Sequence, residues 1–264
     1  LPILYAYSDL ISLPIWDINN AQTLLQVGEA YQAIGMFTEA VKFYEKVKVI
    51  DSNKTYRDRV FLNLGKIHLE RKNYNEATLV GRKFLQIYPR SKLVPDGMKL
   101  LARALRGQGD FSEAINIYED LLARSSEKAE VHYFLGETFS EINQLADAVQ
   151  AYQRAIETYD RQEKLIPEYL QNAYFHLGTS LFKLNRFGPA MEALKSASEL
   201  FPDNPLRDWA DFLMIESLEK LGDPSRITEG LNKLVKTENG DDLTRQAAES
   251  RVKIREWEKQ LKEG

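Results

Sequence analysis

The chain contains no cysteine. That removes disulfide bridges, thiolate metal sites and cysteine nucleophiles together, and leaves the redox compartment undetermined. Histidine is scarce, with His68, His132 and His176 the whole complement, and no H-E-x-x-H pair is formed. There is no glycine-rich phosphate loop and no serine in a G-x-S-x-G elbow. No run approaches the ~18 consecutive apolar residues that a membrane-spanning helix requires. The most apolar stretch, Leu1–Trp16, is interrupted by Pro2, Ser8, Asp9, Ser12 and Pro14, and it lacks the basic leader and small-residue cleavage site of a secretory signal. The first residue is leucine and not methionine, so the expectation is a shortened or processed product, with any targeting segment outside it. These absences offer no catalytic constellation, no metal ligands and no cofactor site. The expectation is a chain that is not an enzyme.

What is present is ordinary for a water-exposed protein: 264 residues, 44% hydrophobic and 28% charged, enough apolar material to build a core. The net charge of −4 hides an asymmetry. From Lys42 to Arg106 there are 16 lysines and arginines against 6 acidic residues, and the rest of the chain is correspondingly acidic. One end therefore carries a positive field and the other a negative one.

One pattern recurs along most of the sequence. A small residue, usually glycine, follows an apolar one; a Gly/Asn turn and an aromatic or leucine come next, then an alanine, then an aromatic or apolar residue four further on, or seven in the second copy. The copies read Val27-Gly28, Gly35, Phe37, Ala40, Tyr44; Leu64-Gly65, Asn73-Tyr74, Ala77, Phe84, Pro89; Leu101-Ala102, Gly109, Phe111, Ala114, Tyr118; Leu135-Gly136, Asn143, Leu145, Ala148, Tyr152; and Leu177-Gly178, Asn185, Phe187, Ala190, Leu194, Pro202. The physical content is legible in the residue types. The glycines and alanines leave room where two helices cross closely, and a larger residue there overpacks the contact at a cost of ~1–3 kcal/mol. The aromatics fill the wedge beside them. Pro89 and Pro202 close second helices, because proline cannot continue the hydrogen-bond ladder. His68 and His132 fall on repeat-core positions and are expected to pack.

This pattern resembles the tetratricopeptide repeat, over five units between about residues 21 and 204. The resemblance implies an all-α, right-handed superhelical solenoid of antiparallel helix pairs. Units are expected near 21–54, 58–91, 95–128, 129–162, 171–204 and a weaker sixth near 208–240, in which Ile215 replaces the small residue and Pro224 the aromatic. Residues 1–20 fit the end of a preceding repeat, through Ala6, Leu10 and Leu13. Residues 241–264 fit a charged C-terminal capping helix, which an open stack requires. The alanine marker advances by 37, 37, 34 and 42 residues against a family period of 34. The longest insertion, around 160–168, is expected to extend a second helix to near Ile166, with Pro167 in the first turn of the next. The 37-residue units, with Tyr88-Pro89-Arg90-Ser91 at the turn, are similar in style to bacterial envelope repeats. They point to the cell envelope or periplasm, with the cytoplasm as the alternative.

In this family the first helix of each pair lines the concave surface. Carried over by register, a basic stretch of Arg59, Lys66, Lys99, Arg103 and Arg106 and an aromatic stripe of Tyr133, Phe175, Phe182, Trp209 and Phe212 form the expected partner-binding groove. Leu62, Leu69, Asp96, Glu130, Glu137, Glu141, Asn172 and Thr179 complete it. The asparagines with which chaperone-binding members hold a terminal carboxylate are missing: the equivalent positions are Glu29, Lys66, Arg103, Glu137 and Thr179. The implied function is a non-catalytic scaffold that binds an extended peptide or helix of another protein, with assembly of a bacterial envelope complex as one setting. The alternatives are a docking region of a larger enzyme, a self-assembling structural protein, and, least supported, a polyanion or nucleic-acid binder, which the acidic balance disfavours.

Overall fold

The computed structural model describes residues 19–124, 128–159, 166–222, 227, 231, 232, 235 and 242–263. Among these the regular structure is entirely helical. It divides into two compact units, residues 1–125 and 126–264. The first unit holds α1 (Ala21–Ala33), α2 (Phe37–Ile50), α3 (Arg57–Glu70), α4 (Tyr74–Ile87), α5 (Val94–Gln108) and α6 (Phe111–Arg124). The second holds α7 (Lys128–Glu141), α8 (Leu145–Thr158), α9 (Glu168–Lys183), α10 (Phe187–Leu200), α11 (Arg207–Lys220) and α12 (Asp242–Glu263). The expected preceding repeat at Ala6, Leu10 and Leu13 lies outside the described residues, as does most of the second helix of the weak sixth unit.

Within each pair, two helices of similar length are joined by a two- or three-residue turn and pack along each other, which makes them antiparallel. The turns share one geometry. Gly35, Lys72, Gly109, Asn143 and Asn185 take φ of 77°, 59°, 88°, 59° and 61°. The next residue in each case donates its N–H to the carbonyl five positions back: Met36 to Tyr31, Asn73 to His68, Asp110 to Leu105, Gln144 to Phe139 and Arg186 to Leu181. This left-handed closure satisfies carbonyls that the helix end leaves open. It explains the glycine and asparagine of the sequence pattern, since those residues adopt positive φ most cheaply. In the second repeat the position is held by Lys72 and not by Asn73, so the pattern locates the turn one residue late there.

The glycine markers stand where the pattern requires close approach. A Cβ on Gly136 would lie 2.6 Å from the Tyr152 ring, and one on Gly178 would lie 2.5 Å from Leu194 Cγ. Tyr44, Tyr118 and Tyr152 are fully buried at equivalent places on α2, α6 and α8. The core of the first unit runs through Leu24, Val27, Tyr44, Val60 and Ile67 and then through Leu62, Phe84, Leu100 and Ala104. That of the second unit runs through Phe175, Leu194, Phe201 and Leu213, and then Ile215, Ile227, Leu231 and Ala248.

Polar bonds at the repeat period join neighbouring pairs. Ser91 Oγ donates to Asp58 Oδ2 at 2.6 Å, and at the equivalent positions 113 residues later Asn204 Nδ2 reaches Gln171 and Asn172. Arg71 donates to Thr38, and Gln108, in the same register, to Asn75. The buried Asp51 and Asn204 side chains accept from backbone N–H groups of the turn that follows them, so these polar groups are satisfied and not stranded. The C-terminal helix α12 packs on α11. Arg251 reaches Glu216 at 2.9 Å and Glu219 at 2.5 Å, and Arg255 reaches Glu219 at 3.3 Å. The long insertion does not lengthen α8 as expected: that helix stops at Thr158, and Pro167, with ψ of 149°, caps α9 from outside its first turn.

Candidate functional site

First helices of successive pairs lie side by side in each unit: α1, α3 and α5 in the first, α7, α9 and α11 in the second. In the second unit they surround a cavity of about 330 Å³. Glu137, Ser140 and Glu141 enter from α7, His176, Thr179, Ser180 and Lys183 from α9, and Trp209 and Ala210 from α11. Tyr152 and Phe175 form its apolar floor and Leu206 part of its wall.

The residues are placed by helical spacing. His176, Ser180 and Lys183 are four and three residues apart and share one face of α9. Trp209 is 39% exposed at the rim and stacks on Phe212, with ring centroids 5.3 Å apart and planes 21° from parallel. Below, Tyr133 lies nearly parallel to His176 at 6.2 Å, and Tyr152 lies 5.7 Å from His176. The Tyr133 hydroxyl donates to Glu137 Oε1 at 2.9 Å. Burial pushes the His176 pKa below its ordinary value, against the upward pull of Glu137, and Lys183 lowers it further. The imidazole is therefore neutral at pH 7. Burial likewise depresses His132, which is a packing residue, with Arg154 and Lys128 adding to the effect.

The expected groove residues divide three ways. Trp209 is exposed and lines the cavity, together with Glu137, Glu141 and Thr179. Phe182 and Phe212 are half-buried packing residues: Phe182 meets Phe187 edge-on at 5.5 Å, and both join the core of the second unit. Tyr133 and Phe175 are 6% and 1% exposed, so they are core residues and not surface anchors. Leu62, at the same distance before its glycine, is equally buried, and Leu69 is nearly so. The reason is geometric. Residues three before the glycine face the next first helix, and the narrow seam between adjacent first helices covers them.

The basic stretch lies in the first unit and is largely engaged. Arg59 makes a two-pronged bond to Glu29, at 2.6 and 2.7 Å. Asn63 donates to the same carboxylate and to the Tyr44 hydroxyl, which itself donates to Gln32. Lys99 pairs with Asp96 at 3.2 Å and is 14% exposed. Arg103 and Arg106 are half-buried and also have interactions of their own, and Lys66 is half-buried. Four polar cavity residues escaped the sequence reading: Ser140, His176, Ser180 and Lys183. Nothing in the repeat pattern distinguishes them, because serine, histidine and lysine on a first helix are read as ordinary surface. Only the position of Ser140, four after its glycine as Leu69, Arg106 and Phe182 are after their small residues, could have pointed to it.

Among the described residues, no group of three or more His, Asp or Glu side chains is arranged to hold a metal, and no helix is long and apolar enough to cross a membrane.

Family models described as tetratricopeptide repeat match residues 23–56, 99–163 and 171–204, together about half of the chain. No curated protein is significantly similar to it. Among solved structures, it superposes on the MamA protein with a TM-score of 0.55 at 18% identity, covering 69% of this chain and 91% of that one. A tetratricopeptide repeat protein from Parabacteroides merdae gives 0.61 at 15% identity over 91% and 88%. The APC/C hetero-tetramer Cut9–Hcn1 gives 0.69 at 13%, over 95% of this chain and 45% of that one. At these identities the likeness is one of fold. Repeated helix pairs, left-handed turns, glycine-cradled tyrosines and seam bonds at the repeat period all agree with it, and the chain belongs to the tetratricopeptide repeat family, as an all-α solenoid.

Proposed function

We propose that this protein is a non-catalytic interaction scaffold whose second unit binds an extended segment of another protein. The repeats themselves support a protein-interaction scaffold in general. The observation that supports the finer reading is the cavity between α7, α9 and α11, where an exposed tryptophan stands beside polar groups on an otherwise apolar floor. Aromatic anchors in partly enclosed, desolvated pockets dominate the energetics of protein interfaces, and a groove of this kind suits a strand-like peptide or one face of a helix. The cations of the first unit are a weaker basis, because several of them already hold partners within the chain.

The test is capture of partners on immobilised protein, comparing wild type with Trp209→Ala and Lys183→Glu. Both residues are exposed, and circular dichroism of each variant checks that its helices are intact. Partners retained by wild type and lost by both variants support the cavity as the site. Equal recovery by all three baits places binding elsewhere. Phe182→Asp is unsuitable, since it would bring a carboxylate into the packed core of the second unit.

A further inference from the structure

We propose that the cavity of the second unit receives an acidic side chain, Asp or Glu, from an extended partner segment, with Lys183 as its counter-charge. This rests on the reading of the cavity as the partner site. It is carried by the hydrogen-bonding capacity that the lining leaves unspent. The Thr179 hydroxyl donates to the Phe175 carbonyl at 3.0 Å. Glu137 accepts from Tyr133, and both Glu137 and Glu141 are engaged in interactions of their own. The side chains of Ser140, His176, Ser180 and Lys183 make no hydrogen bond or ion pair among the described residues.

Ser180 is the telling member of that group. It is 2% exposed and lines the cavity. Comparable buried hydroxyls in this fold spend themselves on the carbonyl four residues earlier, Thr138 on Phe134 and Ser217 on Leu213, each at 2.7 Å. Ser180 does not, and its hydroxyl, which lines the cavity, is left to bond what enters. All four groups can donate, and Lys183 can only donate. A carboxylate only accepts, and it does so most strongly from charged donors. A lysine or arginine side chain on the α9 side would place a cation against Lys183. Neutral His176 can donate without adding a second buried charge. Glu137 and Glu141 on α7 set the orientation: the incoming carboxylate is steered to the α9 side, while Trp209 and Leu206 on the opposite wall receive an adjacent apolar side chain.

The experiment uses the full chain and three pools of nine-residue peptides, acetylated and amidated, randomised except for a central Asp, Asn or Lys, with binding read by fluorescence anisotropy. The expected result is at least about tenfold tighter binding of the Asp pool by wild type. Lys183→Met should erase that preference, and Lys183→Glu should turn it toward the Lys pool, with the far-ultraviolet dichroism unchanged. A wild-type preference for the Lys pool, or an Asp preference that survives Lys183→Glu, overturns the proposal. Equal binding of all pools that Trp209→Ala weakens also overturns it, while leaving the cavity as the partner site. If no pool binds, both readings fall. A pool with a free terminal carboxylate that outcompetes the Asp pool moves the anion from a side chain to a chain end and overturns the source named above.

Discussion

Adding one methyl group to Gly178 should destabilise the chain far more than adding one to Gly188. Both residues are helical, on α9 and α10. A Cβ on Gly178 would lie 2.5 Å from Leu194 Cγ, 2.6 Å from its Cδ2 and 3.1 Å from its backbone nitrogen. Leu194 is fully buried, so it has little room to move, and the backbone contact prevents relief by rotation of a side chain alone. The two helices must separate, at an overpacking cost of ~1–3 kcal/mol. The better helix propensity of alanine returns at most about 1 kcal/mol of this. A Cβ on Gly188 meets nothing within 4 Å outside its chain neighbours, and the propensity gain of about 0.5–1 kcal/mol is offset by its place in the first turn and by Pro189, which disfavours helical geometry for a preceding residue with a Cβ. Urea unfolding followed by circular dichroism reads the difference. With slopes of about 1–3 kcal/mol per molar, the Gly178→Ala midpoint should fall by roughly 0.5–1 M and that of Gly188→Ala should stay close to wild type. Because stacked repeats can unfold in parts, amide exchange of α9 and α10 should be measured alongside. If Gly178→Ala were as stable as wild type, the close crossing of α9 and α10 would be refuted, and with it the reason for the glycine marker.

Two further predictions follow from particular residues. Lys72 adopts φ of 59°, where a side chain costs ~1–2 kcal/mol. Lys72→Gly should therefore raise stability by about 0.5–1 kcal/mol, and a lower thermal midpoint would contradict the turn geometry. The Tyr44 phenol has its pKa raised by burial, and by the nearby Glu29, against the opposing effects of Asn63 and Arg59. A raised value means that the folded state holds the proton longer than the unfolded state. This contribution is intact below an unfolded-state pKa of about 10 and is lost as pH rises beyond it. Wild type should lose stability above about pH 10 more steeply than Tyr44→Phe, which should itself cost ~1–2 kcal/mol at neutral pH by leaving Gln32 and Asn63 short of a partner; parallel pH profiles would refute the assignment.

The helix pairs were legible because they depend on local chemistry repeated many times. A glycine or asparagine at a left-handed turn, an alanine and a glycine at a crossing, and a large residue against them leave the same trace in each copy. Lys72 was missed because a lysine carries no trace of positive φ. The end of α8 was misplaced because the residues after Thr158 carry no clear stop. The groove was legible only in part. Register put Glu137, Glu141, Thr179 and Trp209 on the first-helix face and all four line the cavity, but the same register put Tyr133 and Phe175 there as well.

The sequence by itself determined the repeat, the pairing of its helices and the absence of recognisable catalytic motifs, since each depends on residues within one turn or one period of each other. Tertiary structure alone decided which aromatics are covered and which hydroxyls and cations are left unpartnered. Burial at a seam between first helices depends on how closely the neighbouring repeat approaches. Phe175 and Trp209 stand three and six residues before the markers of their repeats and differ in exposure by nearly 40 percentage points; only the packed seam shows which of those two positions is covered.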